Sequence, residues 1–102
     1  MTGAHAAGSP VVSVIVPAFN AAEFLESAIE RLLAQTIDNF EIIVVDDGST
    51  DTTASIGLRA AAAHAAVHYF RQEQNGGVAR ARARAVAESR GEFVWFVDCD
   101  DE

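Results

Sequence analysis

A chain of 102 residues holds one domain at most, and with half of its residues hydrophobic and 22% charged it has ordinary globular content, which excludes a disordered chain. Fifteen acidic residues against seven basic ones give a net charge of -8 at pH 7. Outside the local Arg80, Arg82, Arg84 cluster no basic run could track a phosphate backbone, so no nucleic-acid partner is expected.

Met1 to Pro10 lacks the charged and apolar regions of a signal peptide and reads as a disordered tail, which leaves residues 11–102 as the domain. Val11-Val12-Ser13-Val14-Ile15-Val16 is a β-branched run and reads as the first strand, closed by Pro17, whose nitrogen cannot donate to a ladder. Asn20 with Glu23 three residues on has the spacing of a capping box, and Phe24/Leu25, Ala28/Ile29 and Leu32/Leu33 recur at helical spacing. A first helix is therefore predicted from about Ala21 to Gln35. After a loop from Thr36 to Asn39, Phe40 to Val45 is a second buried strand that ends in acids, Asp46-Asp47-Gly48-Ser49-Thr50-Asp51.

Thr50 or Asp51 is placed to cap a second helix that runs through Ala60 to Ala63, with Ile56 and Leu58 as its main apolar contributions and Gly57 as a weak point. Val67-His68-Tyr69-Phe70 is a short third strand. Gln74-Asn75-Gly76-Gly77 is turn chemistry and opens a helix from about Val78 to Ser89; Val78, Ala79, Ala81, Ala85 and Val86 are expected to face inward, with Gly91 as the C-cap. Phe93-Val94-Trp95-Phe96-Val97 is too short for a helix and suits a strand buried on both faces. It ends abruptly in Asp98, Asp100 and Asp101.

This alternation of strands and helices predicts an α/β fold, a three-layer α/β/α sandwich around a mostly parallel, Rossmann-like sheet with right-handed crossovers. Glu102 follows the fourth strand with no element to cover that edge, so the domain reads as truncated there. The single cysteine, Cys99, cannot form an internal disulfide and points to a reducing cytoplasm. Crowded by carboxylates it reads as an inert filler rather than a nucleophile. His5, His64 and His68 show no metal spacing.

Two strands deliver acids to one sheet edge, where open α/β sheets bind ligands, and like charges crowded there repel unless a cation lies between them. Carboxylates on a short loop are hard ligands that suit Mg2+ or Mn2+ together with the phosphates of a substrate. The first turn, Pro17-Ala18-Phe19-Asn20, has no glycine, so the dinucleotide fingerprint is absent, and there is no Walker-type sequence. A phosphate would instead meet the bound cation and the start of the third helix, with Arg80, Arg82 and Arg84. Arg80 and Arg84 share a helix face and Arg82 lies on another. Asp46 and Asp47 can accept a hydrogen bond from a base or ribose, and Phe19 can stack on a base.

Taken together, Val14-Ile15-Val16-Pro17-Ala18-Phe19-Asn20, Val44-Val45-Asp46-Asp47-Gly48-Ser49-Thr50-Asp51, Asn75-Gly76-Gly77-Val78-Ala79-Arg80-Ala81-Arg82 and Asp98-Cys99-Asp100-Asp101 resemble the opening of a family 2 glycosyltransferase of the GT-A fold. The resemblance implies a nucleotide-sugar-binding half domain. It places Pro17, Phe19, Asn20, Asp46, Asp47, Gly77, Arg82 and Asp98 around the donor nucleotide. Phe19 would pack near the base, Asp47 contact it, Asp98 lie near the ribose and Arg82 meet the nucleotide or its diphosphate. Asp98 and Asp100 are the acids of a D-x-D motif, with Asp100 on the metal. The chain departs from the family at Ala83 and Ala85, where asparagine and glycine are usual, and at Phe19, where tyrosine is frequent; loss of that hydroxyl keeps the stacking role and removes a polar one.

The implied reaction is an inverting transfer from a UDP- or GDP-linked sugar to the hydroxyl of a glycan or lipid-linked acceptor, with the metal as Lewis acid and a general base supplied beyond Glu102. The chain alone would bind donor and metal without turnover. Membrane association, if any, would come through other regions. The competing readings are a non-catalytic nucleotide-binding or scaffold module, a nucleotidyltransferase, which wants a glycine- and lysine/arginine-rich signature after the first strand, and a receiver domain, which wants a late lysine where this chain has none.

Overall fold

A computed structural model of the protein describes residues 10–35, 39–72 and 77–97. In chain order the elements are β1 (Val12–Ala18), α1 (Ala22–Leu33), β2 (Phe40–Asp46), α2 (Thr53–Ala63), β3 (Val67–Arg71), α3 (Val78–Glu88) and β4 (Phe93–Phe96). The four strands form one sheet in the order β3-β2-β1-β4, and every pairing is parallel. The order reverses direction between β1 and β4, which makes the gap beyond their C-terminal ends the switch point of the fold.

The period-two alternation of the strands separates two cores. Val14 and Val16 of β1, Ile42 and Val44 of β2 and Val67 of β3 pack against Leu25, Ala28, Ile29 and Leu32 of α1, with Ile56 and Ala60 of α2 beside them. Ile15, Ile43 and Val45 face the other way, onto Ala81 and Ala85 of α3. Two helices cover one face and one the other, the predicted three-layer sandwich. Among the described residues α3 meets the sheet through the small side chains of Ala81 and Ala85. Among the described residues no helix is long and apolar enough to cross a membrane.

Several local expectations are corrected. Pro17 does not close β1; the strand continues to Ala18 and Pro17 pairs with Val45. In a parallel ladder successive residues address opposite neighbours, and Ile15, whose carbonyl accepts from Val97 N–H, addresses β4. Pro17 therefore turns its nitrogen to the same side, past Ile15–Phe96, the last described pair with β4. Leu58 is 58% exposed, so α2 contributes Ile56 and the backbone of Gly57 rather than Leu58. Ala79 and Val86 of α3 point outward, and the side chain of Val78 lies outside the described residues. Ser89, not Gly91, terminates α3, in an extended conformation. Gly91 answers a different need: a Cβ there would lie 2.7 Å from the backbone nitrogen of Ser13, so only glycine lets the chain pass β1 this closely.

The largest correction concerns β4. Among the described residues it is an edge strand, and Phe93, Val94, Trp95 and Phe96 are all exposed in this chain, Phe93 by 63%. A continuous apolar run carries no information about which side of the sheet it will occupy. The predicted acids beyond it, Asp98, Asp100 and Asp101, lie outside the described residues, as do Cys99, the predicted loop positions 36–38 and the turn residues Gln74, Asn75 and Gly76.

Candidate functional site

The alternation that divides the core also divides the aspartate pair. Asp46 shares a face with Ile42 and Val44 and turns toward the α1/α2 layer, whereas Asp47 follows Ile43 and Val45 toward α3. Asp46 is fully buried. Its Oδ1 accepts from the Ser49 N–H at 2.8 Å, and its Oδ2 accepts from the Tyr69 hydroxyl at 2.6 Å and from Arg71 Nη1 at 3.2 Å. Arg71 Nη2 also donates to the Ser49 carbonyl at 3.0 Å. These bonds close the Asp46–Ser49 turn, with Gly48 in the left-handed region at φ 82°. Asp46 therefore anchors the loop from within. Burial first, and then donation to Asp46, push the Tyr69 phenol up to about 12.

Asp47 follows the C-terminal end of β2 and is also buried, 4% exposed. Its N–H donates to the Ala18 carbonyl at 2.8 Å, so it stands beside the residue that precedes Phe19. Its Oδ2 accepts from the Gly77 N–H at 2.8 Å and its Oδ1 from Gln72 Nε2 at 3.1 Å. One carboxylate thus joins the C-terminal ends of β2 and β3 to the N-terminus of α3, where helix amides favour negative charge. Gly77 holds φ at 90°, a conformation that L side chains rarely adopt. Phe19 is 48% exposed, with a ring available on the same rim.

Asn20 does not cap α1. It sits in the left-handed region at φ 49° and ties two rim loops together. Its Oδ1 accepts from Thr50 N–H at 2.8 Å, and its own N–H donates to Ser49 Oγ at 2.8 Å. The first turn of α1 is instead satisfied from α2: Thr53 Oγ1 accepts from Ala21 N–H at 2.9 Å and Asp51 Oδ2 from Ala22 N–H at 3.3 Å. Asp51 Oδ1 in turn accepts from the Thr53 N–H at 2.9 Å and from the Thr53 hydroxyl, and the hydroxyl bond first holds its carboxyl below the usual carboxylate range. The predicted cap at Asp51 is present in function, one residue outside the N-cap Thr52.

The three arginines separate. Arg82 places its guanidinium over the Phe96 ring, 5.4 Å from the centroid, on the strand that leads to Asp98. Arg84 lies over Phe70 at 5.2 Å and pairs with Glu88 at 3.1 Å. Arg80 is exposed. The structure thus brings Pro17, Phe19, Asn20, Asp47 and Gly77 to one rim, puts Arg82 on the β4 side of it and Asp46 beneath it. Sequence reasoning missed Gln72, Tyr69 and Arg71; their only signal is their place at the C-terminal end of β3, level with the paired acids of β2. Among the described residues no group of three His, Cys, Asp or Glu side chains could hold a metal ion. The expected ligands Asp98 and Asp100 lie outside the described residues.

Strand order, layers and rim define a doubly wound α/β domain with its polar residues gathered at the C-terminal ends of the strands. The chain belongs to glycosyl transferase family 2, whose profile matches residues 13–102. It is 39% identical to Glycosyltransferase GlyG of Streptococcus pneumoniae over 93 residues, 91% of this chain and 31% of that protein. It superimposes on mannosyltransferase PcManGT of Pyrobaculum calidifontis, solved with GDP-Man and Mn2+, with a TM-score of 0.82 and 33% identity, covering 92% of this chain and 28% of that one. With S. aureus TarS 1-349 in complex with UDP-GlcNAc the TM-score is 0.81 and the identity 35%, covering 88% and 26%. The fold is that of the GT-A glycosyltransferases. The chain spans about a third or less of the length of each of these proteins.

Proposed function

We propose that this chain is the donor-binding part of a glycosyltransferase that moves a sugar from a nucleotide-diphosphate sugar to an acceptor hydroxyl by a metal-assisted inverting displacement. The observation that carries the reading is Asp47, turned onto the Gly77 amide at the mouth of α3 and flanked by the open Phe19 ring. Phe19 offers a face on which a base stacks, and Asp47 accepts a base N–H. Pro17 and Asn20 hold the backbone between them, Asn20 by fixing the β1–α1 loop to the β2–α2 loop. Asp46 closes the turn that follows β2 by accepting from the Ser49 N–H.

The amide end of α3 and Arg82 lie where a diphosphate running from that base toward β4 would need positive charge. The reading gives Asp98 to the ribose and, with Asp100, to Mg2+ or Mn2+. Bound there, the cation would act as a Lewis acid that stabilises charge on the departing nucleoside diphosphate. PcManGT, solved with both GDP-Man and Mn2+, supports a divalent cation beside a nucleotide sugar in this family. The acceptor, a glycan or lipid-linked hydroxyl, and the general base that takes its proton are assigned to none of the described residues.

Titration calorimetry and thermal unfolding with UDP and GDP, with and without Mn2+, test the reading. At a hundredfold excess over Kd the expected stabilisation is on the order of 3 kcal/mol, dependent on Mn2+ and lost in Asp100→Ala. Absence of any response to both nucleotides with Mn2+ present would overturn it.

A further inference from the structure

We infer that Phe96 is a positioning residue whose ring holds the Arg82 guanidinium at the β4 side of the rim while leaving its N–H donors available to a phosphate group; this rests on the donor-binding reading above. Register and helix pitch bring the two together. Phe96 pairs with Ile15, and Ile15 packs with Ala81 of α3, so Phe96 lies on the α3 face of the sheet, one strand further out. Arg82 follows Ala81 in the helix and reaches that ring, 5.4 Å from its centroid. The adjacent aromatic, Trp95, pairs with Val14 and belongs to the opposite face, that of α1.

The attraction between a guanidinium and a ring acts through charge and engages no acceptor, so it fixes the side chain without using its N–H groups. Among the described residues no carboxylate pairs with Arg82. The other arginines around the sheet are committed differently. Arg84 lies over Phe70 at 5.2 Å, yet its Nε donates to Glu88 at 3.1 Å. Arg71 donates to Asp46 and to the Ser49 carbonyl. Arg82 therefore combines a fixed location with five donors in the fork that suits a phosphate oxygen pair. A long side chain that must be ordered when its ligand arrives loses affinity to that ordering, and one already held on a ring loses less. Phe96 remains 43% exposed, so removing its ring opens no cavity in the core.

The test measures Kd for UDP and GDP with Mn2+ on the whole 102-residue chain and on four variants. Phe96→Leu stays apolar and removes the ring, Phe96→Tyr keeps a ring, Arg82→Gln removes the cation, and the last combines Arg82→Gln with Phe96→Leu. Phe96→Leu should weaken binding by about threefold to fivefold, the scale of an exposed cation–π contact, and Phe96→Tyr should bind as the unaltered chain does. In the Arg82→Gln background Phe96→Leu should cost nothing further, because no cation remains to be held. A residue with a merely structural role would weaken both backgrounds alike. An undiminished loss in the Arg82→Gln background, an equal loss in Phe96→Tyr, or no loss in Phe96→Leu overturns the role of Phe96 while leaving donor binding standing. Failure of the unaltered chain to bind either nucleotide removes both.

Discussion

Asp46 and Asp47 are adjacent and chemically identical, yet they do different work because a strand sends neighbours to opposite faces. The acidic doublet was legible in the sequence as a rim feature. Which layer each of the two faces, and which partners each finds, was not, since that depends on the register of β2 against β3 and on a tyrosine 23 positions away. Tyr69→Phe, which removes the hydroxyl and little else, should lower stability by about 1.5 kcal/mol in urea unfolding, the scale of a hydrogen bond to a charged acceptor. The neutral phenol is the form the fold prefers, with its pKa raised from 10.0 to about 12. Its contribution is complete below pH 10 and is lost as pH rises toward 12. The variant should show a flatter stability profile in that interval. Asp51 behaves in the opposite sense: its carboxyl is held below 3.8, so its support is present above that pH and disappears as acid protonates it. Asp51→Ala should therefore weaken the fold at neutral pH and abolish that part of the acid transition, read by circular dichroism.

At the scale of elements, strands and helices could be placed from periodicity, but their ends could not. Asn20 and Glu23 have the spacing of a capping box, and α1 nonetheless takes its caps from Thr53 and Asp51, which no local window contains. Gly57 shows the same limit. As a residue inside a helix it reads as a defect, costing about 1 kcal/mol against alanine. In the fold it is buried where a Cβ would meet the Tyr69 ring well inside contact distance. Gly57→Ala should accordingly destabilise by about 1–3 kcal/mol in urea unfolding despite the better helix propensity, because the ring that must move also holds Asp46. On the rim opposite the site, Ser13 Oγ donates to the buried Glu41 at 2.6 Å while accepting from Gly91 N–H at 2.8 Å, and Arg90 N–H donates to the same Glu41 oxygen at 2.8 Å. Ser13→Ala deprives that carboxylate of a donor and should cost about 1–3 kcal/mol, read in the same urea titrations.

For the molecule as a whole, class and layer arrangement followed from the alternation of elements, whereas the place of each strand in the sheet did not. β1 and β2 are central and their runs are buried over most of their length; β4 has an equally apolar run and, among the described residues, lies at the edge. That edge offers a row of backbone donors and acceptors beside four exposed apolar side chains, a surface apt to pair with another strand. Sedimentation velocity over a range of concentrations should show weak self-association, increased by salt as the repulsion from a net charge of -8 is screened. Replacing Phe93 and Trp95 by threonine should reduce it. The same edge has a bearing on handling: stock solutions of this chain should keep best when dilute and low in ionic strength, and a freeze–thaw cycle, which concentrates protein and salt together, should yield ribbon-like precipitate.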